Sequence, residues 1–158
     1  MKNYSIEIKW GVIFTVVTLL WMLLEKALGW HDELIAEQAI YTNLFGLVAI
    51  ALYVFALLDK RKNFFHGEMS WTQGFISGVI LSIIVAILSP IAQYISLEII
   101  SPEYFNNIID YSVEEGRMSR ENAEDYFNLT SYIIQSFFFA IAVGIITSAI
   151  VALILRKK

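Results

Sequence analysis

The chain contains no cysteine. Disulfides, thiolate metal sites and cysteine nucleophiles are therefore excluded. Proline occurs only as Pro90 and Pro102, so little interrupts helical segments. Charge is scarce: 16% of residues are Asp, Glu, Lys or Arg, against roughly 25% in an average soluble domain. Chemical motifs are lacking too. There is no nucleotide-binding glycine loop, no metalloprotease histidine pair, no serine elbow and no pair of catalytic carboxylates. No repeat at a solenoid period is present. These absences argue against an enzyme, a cofactor, a metal centre and a nucleic-acid partner.

Long uncharged stretches are what the sequence does have. Apolar residues make up 58% of the chain and gather in four runs, 10–30, 39–58, 71–97 and 132–155. About 20 mainly apolar residues suffice for a helix to cross a hydrocarbon core of roughly 30 Å. Lipid supplies no hydrogen bonds to the backbone, so spanning segments are helices or closed barrels. Runs this continuous lack the alternation of barrel strands. The expected fold is all-α: a single polytopic membrane domain over 1–158, with four transmembrane helices in a bundle. The first run is read as a retained helix, because "EKALGWHDEL" after it offers no small-residue cleavage site.

Charge between the runs sets a topology. Basic residues near span ends stay on the cytoplasmic side. With four spans, the N-terminus, the loop at 59–70 and the C-terminus share one side. They hold eight basic residues (Lys2, Lys9, Lys60, Arg61, Lys62, Arg156, Lys157 and Lys158) and three acids (Glu7, Asp59 and Glu68), a net +5. The rest of the chain holds three basic and twelve acidic residues, a net −9. Lys60, Arg61 and Lys62 read as a topology anchor, with N- and C-termini cytoplasmic. Trp10 and Trp30, twenty residues apart, would sit about 30 Å apart along a helix, at opposite interfaces.

Small residues predict how the spans pack. The fourth run places Ser136, Ala140, Gly144, Ser148 and Ala152 at every fourth position. The third carries Gly74, Gly78, Ser82 and Ala86, and the first Gly11, Thr15 and Thr18. Such ladders share one helix face and allow close backbone approach, within a bundle or between copies. Pro90 should kink the third span.

Segment 101–128 is expected to form a short extracytoplasmic helical hairpin. Ser101-Pro102-Glu103 reads as a helix start, and Ser119 as the cap of a second helix. Gly116 suits the stop between them. "EEGRMSRENAED" lacks the alternating ligands of a calcium loop.

One acid, Glu25, falls within a span on its small and polar face. Ionisable residues at membrane depth point to function or to a structural network. Asn43, Ser89, Gln93 and Gln135 lie at similar depth on the other spans, so a polar cluster with Glu25 is expected. His31 is read as solvated at the interface, and His66 is given no role.

The order of features resembles a known family. It runs from "LEKALGWHDELIAEQAIYTNLF" through "ALYVFALLDKRKNFFHGEMSWTQGFISGVILS" to "SPEYFNNIIDYSVEEGRMSRENAEDYFN", with a basic tail after the last span. This is similar to the bacterial membrane proteins grouped as domain of unknown function 4199. Lys60, Arg61, Lys62, Gly67, Trp71, Gly74 and Gly78 carry the likeness most closely. The resemblance implies a bacterial inner-membrane location and assigns no catalytic or binding residue. The expected function is a non-enzymatic structural or accessory protein in the lipid bilayer, with a homo-oligomer or a membrane-complex partner. The alternative is a small oligomeric transporter or channel using a polar pocket around Glu25.

The absence of native cysteine makes the topology testable. Phe64→Cys and Glu115→Cys, as single substitutions, should react with a membrane-impermeant maleimide from opposite faces of sealed vesicles. Labelling of both positions from the same face would refute the four-span arrangement.

Overall fold

A computed structural model describes residues 4–157. Lys2 and Lys158, two of the basic residues placed at the termini above, lie outside it. Seven α-helices follow in order: α1 (Ser5–Ala27), α2 (Ile35–Thr42), α3 (Phe45–Asn63), α4 (Trp71–Tyr94), α5 (Tyr104–Glu114), α6 (Arg120–Tyr126) and α7 (Leu129–Leu155). A π-helix, Ile95–Ile100, extends α4. Four segments are long and apolar enough to cross a membrane: Ser5–Ala27, Ile35–Asn63, Trp71–Ile100 and Leu129–Leu155. The fold is all-α, and these four helices agree in number with the expected spans.

All four spans differ from the expected limits: the first runs Ser5–Ala27 rather than 10–30, and the fourth starts at Leu129 rather than 132. The second begins at Ile35 and runs to Asn63, with a break at Asn43 and Leu44 between α2 and α3. The third continues past Leu97 as the π-helix. Pro90 supplies no N–H to the carbonyl of Ala86, one turn back. The Ser89 hydroxyl donates to that carbonyl instead, at 2.9 Å. A proline is thus tolerated inside the span without leaving a bare carbonyl at membrane depth.

The most extensive helix contact is α4 on α7, and it is built from the small-residue ladders. Gly74, Gly78, Ser82 and Ala86 on α4 are buried, as are Gly144, Ser148 and Ala152 on α7. A methyl group on Gly78 would lie 2.5 Å from Ser148 Cβ. One on Gly144 would lie 2.6 Å from Tyr53 Oη and 2.7 Å from Ser82 Cβ. Only hydrogen fits, so the backbones approach closely enough for dispersion to hold them. The α7 ladder therefore serves this intramolecular seam. Helix α1 packs on α4 through Gly11, against Ile84 and Leu81. A core of Tyr53, Ala56, Leu57, Met69, Leu81, Val85, Val151 and Ala152 occupies the half of the bundle near the 59–70 loop.

Ser119 caps α6, its hydroxyl accepting from the Asn122 amide, and Asn128 caps α7 through Ser131. Gly116 adopts φ +64°, as a helix stop requires. Ser101 does not cap α5. That helix starts at Tyr104, with Glu103 before it and no side-chain cap. Ser101 is fully buried and bonds elsewhere.

The seam yields a prediction. Gly144→Leu should lower stability by at least about 1–3 kcal/mol, the usual range for overpacking. Gly46→Ala, which adds its methyl to open space, should leave the melting temperature unchanged or higher. Thermal unfolding in detergent distinguishes the two.

Candidate functional site

Two buried polar networks stand at opposite ends of the bundle. On the side of the insert, the segment 101–128 that carries α5 and α6, Glu25 is wholly buried in the last turns of α1. Its Oε1 accepts from Trp21 Nε1 at 2.6 Å and from Thr42 Oγ1 at 2.5 Å. Its Oε2 meets His31 Nε2 at 3.0 Å. A carboxylate only accepts, so Nε2 carries the hydrogen of that bond. The other ring nitrogen, Nδ1, is hydrogen-bonded to Ser101 Oγ at 2.6 Å.

The expectation of a solvated His31 is corrected: the residue is fully buried. Gly29, at φ +80°, turns the chain back after α1, a conformation that glycine adopts without Cβ strain. That turn carries the imidazole under the insert. Tyr104 packs its ring edge against His31 at 5.2 Å and reaches the Tyr132 hydroxyl at 3.2 Å. Burial, with Tyr132 beside it, pushes the Tyr104 phenol well above its ordinary pKa. Asn107 Nδ2 donates to the His31 carbonyl at 2.9 Å and to Asp32 Oδ1 at 3.1 Å. Lys26 holds the other Asp32 oxygen at 2.6 Å. The insert is bolted to the ends of α1 and α2 by these bonds.

On the opposite side, Glu7 and Lys60 form a buried ion pair at 2.9 Å, with 3% and 5% of their side chains exposed. Ser77 donates to Glu7 Oε1 at 2.6 Å. The Lys60 ammonium also sits 3.9 Å from the Phe64 ring centroid, a favourable cation–π contact. Asp59 accepts from Lys9, from Trp10 Nε1 and from Asn63. Arg61 donates to the Leu155 carbonyl at 2.9 Å. Helices α1, α3, α4 and α7 are thereby tied at one end. One expectation changes here. Glu25 is not the one acid inside a span, since Glu7 is buried in α1 too. Lys60, the first residue of the expected topology anchor, is buried in the bundle, whereas Lys62 is exposed.

The anticipated cluster around Glu25 is only partly assembled. Asn43 is exposed and donates to the Ala39 carbonyl. Ser89 meets Ser136 at 3.4 Å. Gln135 is exposed and accepts from Tyr126. Gln93 makes no hydrogen bond within the described residues. None of the four hydrogen-bonds Glu25, to which the end of α2 presents Thr42 instead. Asn43, Ser89, Gln93 and Ser136 border a cavity of about 450 Å³ bounded by α1, α3, α4 and α7. No group of three or more metal-ligating side chains occurs among the described residues.

Sequence reasoning missed Glu7, Lys60, Trp21, Ser77 and Ser101 as network members. A signal for Glu7 existed: it stands four residues before Gly11, on the same small face. Lys60 likewise follows Tyr53, Ala56 and Leu57 at helical spacing.

Every buried side-chain nitrogen and oxygen among the described residues is paired. Breaking such a pair is costly, whereas replacing both partners is often neutral. Lys60→Met should destabilise the protein by about 3–5 kcal/mol, by leaving the buried Glu7 carboxylate without its counter-ion. The double variant Glu7→Leu/Lys60→Met should recover most of that loss in the same unfolding assay.

No curated protein and no solved structure matches this chain. A family profile described as "Protein of unknown function (DUF4199)" matches residues 9–157. That match takes in all four spanning helices and the insert, and the chain belongs to that family.

Proposed function

We propose that this protein is a non-enzymatic structural or accessory component of the bacterial cytoplasmic (inner) membrane. It is multi-pass, its termini are cytoplasmic, and it serves a membrane-complex partner or its own homo-oligomer. The observation that carries this reading is the state of the insert-side network. Three donors fill the Glu25 carboxylate, and Glu25 and His31 are both wholly buried. A transport site on Glu25 would need that carboxylate open to a ligand or to a proton path. Here it locks the insert onto the bundle.

The insert is the surface the protein offers. Asp110, Glu114, Glu115, Glu121, Glu124 and Asp125 are exposed on α5, α6 and the turn between them, with Arg117 and Arg120. Arg120 bonds Asp110 and Arg117 bonds Tyr111 across this acidic surface. Charged platforms of this kind steer partners of opposite sign.

The test is a mild-detergent pull-down of the tagged protein from native membranes, with mass spectrometry and native mass measurement. Wild type and Glu25→Gln should recover the same stoichiometric partner. The glutamine keeps an acceptor for Trp21 and Thr42, and its amide can donate to His31 after a tautomer change. Glu25→Leu cannot, and should lose both the fold and the partner. Recovery of the protein with no partner and no second copy would sink the reading. Solute flux in proteoliposomes that vanishes in Glu25→Gln would establish the transporter instead.

A further inference from the structure

The cavity of about 450 Å³ lies within the size range of ligand pockets, which are mostly apolar with a few oriented polar groups. Phe14, Phe45, Val85, Phe139 and Ala140 give it apolar walls. Its α7 side extends from Ser136 to Thr147, about 16 Å by helical rise. Ile50 and Phe139, on α3 and α7, are 46% and 68% exposed, so the rim reaches the lipid-facing surface of the bundle.

The polar groups are unevenly placed. Gln93, Asn43, Ser89 and Ser136 sit toward the insert-side end. Gln93 lies 22 residues beyond Trp71 in the sequence, about 33 Å along α4 and therefore at the edge of the hydrocarbon layer. Its amide makes no hydrogen bond within the described residues, and the Asn43 amide uses only its donor side, on Ala39. Both amides therefore keep hydrogen-bonding capacity at the level where the polar head of a bilayer molecule begins. No charged side chain lines the cavity, and the Glu25 carboxylate behind Trp21 and Thr42 is occupied.

We propose that this cavity binds an uncharged amphiphile of the bilayer. Its apolar tail lies between α3 and α7, and its hydroxyl- or carbonyl-bearing head bonds Gln93 and Asn43. The chemistry excludes a charged headgroup, which would meet no counter-ion there. The site does not depend on the accessory reading, because neither the partner nor the acidic insert enters it.

The experiment uses the full chain in phosphatidylcholine nanodiscs with two photoreactive probes, a diacylglycerol and a phosphatidylglycerol bearing the same diazirine tail. The diacylglycerol should label peptides 42–50 and 136–147 in preference to the charged probe. Gln93→Leu should reduce that labelling about threefold, the worth of one intramembrane hydrogen bond. Ala49→Trp, which fills the cavity, should abolish it. Val143→Trp serves as a second plug if Ala49→Trp does not fold. Equal labelling by both probes, labelling concentrated on the lipid-facing residues Val16 and Leu20, or labelling that survives a folded plug variant would each overturn the proposal.

Discussion

Hydrocarbon offers a buried carboxylate neither water nor a counter-ion, and α1 places one at each end of the bundle. Glu7 and Glu25 therefore had to find donors inside the protein. The donors they found determine which helices sit together. Lys60 brings α3 to α1 and Ser77 brings α4. His31 and Thr42 bring the loop after α1 and the end of α2, and through His31 comes Ser101 at the start of the insert. The two ends of the bundle are thus held by ionisable pairs, while its middle is held by shape.

That middle depends on a different constraint. Between helices in lipid, attraction rises only as backbones come close. Gly78 against Ser148 and Gly144 against Ser82 leave no room even for a methyl group. The α4–α7 pair is consequently the rigid axis against which the other spans are placed. Helix α3 reaches this axis at Tyr53, whose hydroxyl meets Ser82 at 2.8 Å. Toward the insert side, residues of α3 and α7 border the cavity rather than closing on each other. The tight seam, the two polar clamps and the cleft are parts of one arrangement.

The function proposed here follows from where chemistry is available. Glu7, Lys60, Glu25 and His31 are engaged within the chain, and the insert displays exposed acids on α5, α6 and the turn between them. Such a molecule is suited to hold and present a surface. The cleft adds a place where the bilayer itself can contribute a ligand.

Number and type of spans were legible in the sequence because they depend on local apolar length and on charge placed beside it. The ladders of Gly74, Gly78, Gly144 and Ser148 were legible because helical spacing alone puts them on one face. Limits were less so: α2 breaks from α3 at Asn43, where no proline or glycine marks the site, and the π-helix after Tyr94 has no sequence signature. Partners of the buried ions were not legible. Glu7 finds Lys60 across 53 residues and Ser77 across 70, and His31 finds Ser101 across 70. Hydrophobic patterning records how deep a residue lies and which face it shares. Only the packed bundle decides which polar atom it meets, because that depends on rotation and offset between helices far apart in the chain.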